Sequence, residues 1–226
     1  MTKTQNIYLL VFLIFAIAYI GTLPIQPYPG NFVIKAIPVL TLSVLALTKV
    51  AGLKGKLLFA ALLLSAGGDI ALALGEGQYF IIGLGLFLVA HIVYIVAFSR
   101  DFKAQNSRIP IVVLLVAYAV AIAVVMTPSL KEMMIPVYVY MLVITLMGIF
   151  AAFRGPKSKL VLYGAISFIV SDSILAINKF MVAVPASDYL VMITYYLAQL
   201  LIVYGFVKDE RQSEDNAEVV KDEVKL

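Results

Sequence analysis

Three ionisable residues stand inside stretches otherwise apolar enough to cross a bilayer: Asp69, His91 and Asp172. An ionisable group at that depth is costly, so its default reading is a functional site facing a protein interior. Two carboxyls and an imidazole can give and take protons or stabilise a developing positive charge. They are almost all the acid–base chemistry the chain holds, because it has no cysteine and a single histidine. Thiolate catalysis, disulfides and Cys- or His-rich metal sites are thereby excluded.

Helical spacing supplies neighbours for these groups. Ser65 lies one turn before Asp69, and Gly67 and Gly68 leave room for close backbone approach. Phe87, His91 and Tyr94 share a helix face through i+4 and i+3 steps. Ser171 precedes Asp172, Asn178 lies two turns after Ser171 and Lys179 two turns after Asp172, while Tyr195 and Gln199 are one turn apart. Counted from the loops, the two aspartates sit in the half of the bilayer away from the basic loops, and His91 sits near the middle. Lys35 and Lys179 are expected near the outer mouth. A pocket with carboxylates at its floor and ammonium groups at its rim suits an amphiphile with an anionic head and an apolar tail. A purely structural reading exists for each residue: the aspartates pair with Lys35 or Lys179 to hold helices together, His91 packs, and the lysines snorkel to the interface.

The elements that position these residues follow from composition. Of 226 residues, 63% are hydrophobic and 13% charged, and the mean hydropathy is +1.03. Recurrent long apolar runs of this kind are a membrane signature. Eight candidate spans cover about 7–23, 32–49, 56–74, 79–99, 109–127, 133–153, 159–180 and 188–207. They are separated by turn chemistry at Pro27-Tyr28-Pro29-Gly30, Gly75-Glu76-Gly77, Gly155-Pro156 and Pro185. The first run is expected to be a retained helix rather than a cleaved signal, since prolines and further spans follow it. The fold expected is an all-α polytopic membrane bundle over 1–207, with a polar tail over 208–226 that is a solvated or disordered end rather than a site.

The net charge of +4 reads as a topology signal and not as a nucleic-acid surface. Basic loop residues, from Lys3 and Lys49 through Arg100 and Arg154 to Lys208, fall on one face in an eight-span chain. Only Lys131 lies in a loop on the other face. This positive-inside bias places both termini in the cytoplasm. A weak internal repeat supports the same count. Gly68-Asp69-Ile70-Ala71-Leu72-Ala73 answers Ser171-Asp172-Ser173-Ile174-Leu175-Ala176, Ile37-Pro38-Val39 answers Ile135-Pro136-Val137, and Ala90-His91 answers Ala198-Gln199. Two parallel four-helix repeats would bring Asp69 and Asp172 together as symmetry mates.

Ser65-x-x-Gly68-Asp69-x-x-Leu72 followed by Phe80-x-x-Gly83-x-x-x-Phe87-x-x-Ala90-His91-x-x-Tyr94 resembles the central motif of the YhhN-like lysoplasmalogenases. So do Lys35-x-x-Pro38, Pro136-x-x-x-Tyr140, Gly164-Ala165-x-x-Phe168-x-x-Ser171-Asp172 and Thr194-Tyr195-Tyr196-x-Ala198-Gln199. The resemblance runs from about Lys35 to Tyr204. It implies an integral-membrane hydrolase, in the cell inner membrane if bacterial, that splits lysoplasmalogens into a fatty aldehyde and glycerophosphoethanolamine or glycerophosphocholine. It implies no metal or organic cofactor. The expected partners are a lysophospholipid and the bilayer, without nucleic acid.

That chemistry suits the residues found independently. Vinyl-ether cleavage starts by protonating the β-carbon, and water then captures the resulting oxocarbenium ion. It needs a protonated acid and an anion beside the cation, and two carboxyls in one low-dielectric pocket resist ionising together. Asp69 and Asp172 are therefore the expected catalytic pair, with either order of roles. Lys35, His91, Lys179, Tyr195, Ser171 and Gln199 are the expected substrate-binding set. Rival readings are a small proton- or cation-coupled transporter using the same carboxylates as a relay, or a lipid-binding protein without turnover.

Overall fold

Each apolar run must satisfy its own backbone hydrogen bonds in a bilayer, and the helix does so within one segment. The computed structural model describes residues 3–155 and 157–223, with side chains as far as Asn216. Pro156 of the expected Gly155-Pro156 break and residues 224–226 lie outside the described residues. Eight α-helices are present among them: α1 Lys3–Gly21, α2 Asn31–Lys49, α3 Gly52–Leu74, α4 Gln78–Ser99, α5 Ile109–Leu130, α6 Met134–Ala152, α7 Leu160–Phe180 and α8 Ser187–Glu223. The long apolar stretch Asn106–Ala152 is broken at Lys131, where φ is 45°, and reverses there into α5 and α6. Each expected span coincides with a helix, to within a few residues at every end but the last, where α8 runs on past 207.

The polar end from Lys208, expected to be solvated or disordered, continues α8 to Glu223, with residues 211–216 exposed. Its first turns are held from the side. Asp209 accepts from Arg154 Nη2 at 2.9 Å and from the Ser158 amide at 2.6 Å. Arg154 Nη2 also donates to Asp101 at 2.9 Å, Lys54 reaches the same carboxylate at 3.2 Å, and the guanidinium lies 3.9 Å from the centre of the Phe206 ring. Arg154 is thus the centre of a buried cluster that ties α3, two loops and α8 together at the basic face.

The helices close into a ring. α2 packs on α3, α3 on α4, α4 on α6, α6 on α7, α7 on α8 and α8 back on α2, while α1 lies outside against α2 and α5 outside against α6 and α7. This is the pattern two parallel repeats require, since the fourth helix of each half packs on the second helix of the other. The close pairs α3–α4 and α7–α8 depend on small residues. A Cβ on Gly68 would stand 2.6 Å from the Phe87 ring, and one on Gly164 would stand 2.8 Å from the Ala198 carbonyl. Toward the basic face the ring is filled by Leu42, Leu45, Leu58, Leu62, Phe98, Ile202 and Phe206, all fully buried. Toward the opposite face it is hollow.

Candidate active site

The hollow end is a cavity of about 510 Å³, within the range that holds one drug-sized or single-chain ligand. Its mouth is made where α1, α3, α5 and α7 end and α2, α4, α6 and α8 begin, and Gln26, Asn31, Glu76, Lys179 and Asp188 line it. One to two turns below the helix ends lie Lys35, Asp69, Tyr140, Asp172 and Tyr195. Deeper still, Ala119, Ile122, Ile144 and Ile169 form an apolar end. Polar rim, acidic belt and apolar depth follow one another along the helix axes.

The two carboxyls differ in their surroundings. Asp69 is buried on α3, and Lys35 of α2 places its Nζ 3.6 Å from Oδ1 while the Tyr195 hydroxyl donates to Oδ2 at 2.6 Å. Asp172 stands half-buried in the cavity wall on α7 and accepts from the Tyr140 hydroxyl at 2.5 Å. Among the described residues no cation lies within ion-pair distance of Asp172. Both tyrosines are held by rings: Tyr195 meets Phe87 at 5.7 Å and Phe168 at 5.4 Å, and Tyr140 meets His91 at 5.3 Å.

Laid over these contacts, the sequence repeat sets unlike residues against one another. Aligning Pro38 with Pro136 sets Lys35 against Met133 and Leu42 against Tyr140, and aligning Ala90 with Ala198 sets Phe87 against Tyr195. Lys35 and Tyr195, the partners of Asp69, thus align with the apolar Met133 and Phe87, while Tyr140, the partner of Asp172, aligns with Leu42.

Of the residues singled out in the sequence, Asp69, Asp172, Lys35, Lys179, Tyr195 and Ser171 line the cavity. Lys35 is not at the mouth, however. It is buried, and its flexible stem carries the ammonium to Asp69 at the belt. Lys179 does stand at the rim, paired with Glu76 at 2.9 Å. Ser171 spends its hydroxyl on the Val191 carbonyl of α8 at 3.0 Å, a tie between helices. His91 and Gln199 are fully buried and stand behind the cavity wall. His91 packs against Phe168 at 4.6 Å, and neither ring nitrogen has a hydrogen-bond partner among the described residues. Gln199 accepts from the Tyr94 hydroxyl at 2.6 Å. Tyr140 and Glu76 were given no role from the sequence. Tyr140 had a readable signal: it is the hydroxyl on the Val137, Tyr140, Met141, Ile144 stripe of α6. Among the described residues no group of His, Asp or Glu side chains is arranged to hold a metal ion.

Comparison with known proteins places these features in context. The chain matches the model of the YhhN family over residues 30–206. It is 32% identical over 169 residues to lysoplasmalogenase TMEM86A of Bos taurus, covering 70% of this chain and 68% of that protein. Lysoplasmalogenase of Mycobacterium bovis is 31% identical over 189 residues, covering 81% and 72%. Lysoplasmalogenase TMEM86B of Homo sapiens is 31% identical over 176 residues, covering 77% and 74%. No solved structure matches the chain.

Proposed function

The chain belongs to the YhhN family, and from that premise we propose how its cavity hydrolyses lysoplasmalogens. The protein is an integral-membrane hydrolase of the lysoplasmalogenase kind, acting on a lysophospholipid in the bilayer. The products are a fatty aldehyde and glycerophosphoethanolamine or glycerophosphocholine.

The observation that carries the mechanism is the unequal pairing of the carboxyls: Asp69 has Lys35 at 3.6 Å and Asp172 has no cation. A buried charge is tolerable beside an opposite charge and costly without one. Asp69 is accordingly the anion of the pair, and Asp172 is the one that carries the proton. With the chain in the apolar depth, the vinyl ether lies level with both. Asp172 gives its proton to the β-carbon, and the π electrons form that C–H bond while oxygen lone-pair density makes the oxocarbenium ion. Asp69, fixed by Tyr195 and Lys35, faces the cation, a division of labour also used around the similar cation of glycoside hydrolysis. Water adds to the cationic carbon and returns a proton to Asp172, and the hemiacetal collapses to aldehyde and the free glycerol hydroxyl. Lys35 thus serves as counter-ion to Asp69, and Lys179 at the rim meets the phosphate. His91 supports Tyr140 from behind and does not reach substrate.

The basic face carrying Arg100, Arg154 and Lys208 is taken as cytoplasmic, with both termini on that side and the cavity mouth on the other. Reporters fused at either terminus are expected inside, and one inserted at Glu76 outside. The decisive experiment incubates reconstituted protein with a vinyl-ether lysolipid and its saturated-ether analogue. Aldehyde from the first alone is expected. Ion flux without aldehyde would make the protein a transporter, and lipid retention without aldehyde would make it a binding protein.

A further inference from the structure

An ion pair spans the cavity mouth between the two halves of the molecule. Lys179, at the end of α7, donates to Glu76 Oε1 at 2.9 Å in the turn between α3 and α4, and both residues line the cavity. The Glu76 side chain is 87% exposed and that of Lys179 33%, so the pair is weakly held and either partner is readily exchanged for a ligand group. Glu76 is presented at the tip of a tight turn between Gly75 and Gly77, whose φ values of 145° and 62° few other residues adopt. The Lys179 ammonium also lies 5.3 Å from the centre of the Phe80 ring, which packs edge-on to Phe180 at 6.0 Å. Seven residues separate Lys179 from Asp172 on α7, about 10 Å of rise along one face, so a bound group can touch both levels at once. The hydrogen bond and charge of Lys179 hold Glu76 below the usual carboxylate range, and it is anionic at neutral pH.

We propose that Glu76 and Lys179 form a subsite for a zwitterionic headgroup, in which Lys179 takes the phosphate, Glu76 takes the terminal ammonium, and Phe80 is the wall for its methyl groups. The proposal rests on the lysoplasmalogenase reading above and adds to it what selects the head. The charges of the subsite are the inverse of a phosphate–ammonium dipole, so binding replaces one internal ion pair with two to the ligand and leaves no charge unmatched. A head ending in bare phosphate would gain Lys179 but strand Glu76, with Asp188 also in the rim, beside a second anion. Like charges at such a distance oppose binding. A quaternary ammonium gains attraction from the Phe80 face as well.

The test uses the full chain in bilayers and vinyl-ether lysolipids that differ only in the head: ethanolamine phosphate, choline phosphate and bare phosphate. The wild type is expected to show a lower KM for the two zwitterions. Glu76→Gln should raise KM for the zwitterions about three- to fivefold and lower it for bare phosphate, and Glu76→Lys should reverse the preference. Glu76 is exposed on a turn, so both variants keep the fold. Phe80→Leu should penalise choline more than ethanolamine. Equal changes for all three heads in Glu76→Gln, or none, would overturn the subsite while leaving the hydrolase reading intact. No aldehyde from any head with wild-type protein would overturn the hydrolase reading and the subsite with it.

Discussion

At the basic face, Arg154 is 2% exposed, donates to Asp101 and Asp209 at 2.9 Å each and lies over Phe206 at 3.9 Å, within a solid apolar fill. At the other end, Asp172 has one tyrosine and no cation among the described residues, and it faces a cavity of about 510 Å³. Both ends place charged groups where charge is expensive. Where each carboxylate is matched and packed, the cluster is mechanical: it locks α8 to two loops. Where one carboxyl is left without a cation beside open space, the proposed mechanism uses the mismatch for proton transfer. Buried charge alone therefore does not distinguish the two ends.

Removing the central charge of the matched end should have the largest effect, and on stability alone. Arg154→Ala leaves Asp209 with no cation and Asp101 with Lys54 alone, and should cost about 3–5 kcal/mol, as for breaking a buried ion pair. Unfolding in detergent would read that loss, while kcat of the folded fraction should stay within about twofold. A large kcat loss in folded Arg154→Ala would erase the contrast between the ends.

Substitutions at the open end should do the reverse. Asp172→Asn should remove at least about two decades of kcat, the usual scale for a positioned acid, with an unfolding transition close to wild type. Asp69→Asn should lose activity similarly but also lower stability, because it leaves the Lys35 ammonium buried and unmatched. Turnover assays paired with thermal melts separate the two. Equal stability of both variants would mean that the Lys35 pairing is not what distinguishes the carboxyls.

A smaller effect should follow from Tyr140→Phe. It deletes the 2.5 Å bond to Asp172 and leaves the ring against His91. The loss of one hydrogen bond to a carboxyl, about 0.5–1.5 kcal/mol, should appear as a roughly two- to tenfold drop in kcat, measured with the same aldehyde assay.

The smallest effect sharpens the matched end by pH. Burial opposes ionisation of Asp101, but Arg154 and Lys54 outweigh it and hold its carboxyl below the usual aspartate range. A depressed folded value means that the unfolded chain takes the proton first. The stabilisation is complete at neutral pH and is lost as pH falls from the ordinary aspartate value of about 4 through the folded one. Wild-type melting temperature should decline over that interval, and Asp101→Asn should flatten the decline from that group. An identical acid profile in the variant would remove Asp101 from the account.

The helices were legible in the sequence because their signal is local: apolar runs of the right length broken by Gly and Pro. Asp69 and Asp172 were legible as candidates from their depth in apolar runs, and both line the cavity. Three features were not. Lys35 was placed at the rim because helical counting locates its Cα, and a flexible four-carbon stem carries the ammonium about a turn away from it. Arg154 read as one more topology charge, because its partner Asp209 is distant in sequence and in a segment whose polarity suggested solvent. His91 admits both a packing and a substrate-binding reading in the sequence, because periodicity gives its angle around α4 but not which neighbours it meets; Phe168 and Tyr140 pack against it.

The counterparts Lys35 and Met133, Leu42 and Tyr140, and Phe87 and Tyr195 bear on descent and on design. A dimer of two identical half-length chains would enclose the same hollow between the same ring of helices. Its two aspartates would be interchangeable, however, both with a lysine or both without. Such an ancestor could hold a lipid, but neither acid would be told apart from the other. In the single long chain the halves are free to differ, and these three pairs, like His91 and Gln199, are places where they do. A synthetic chain carrying the first half twice should therefore fold around the same one-ended hollow and release no aldehyde from a vinyl-ether lysolipid.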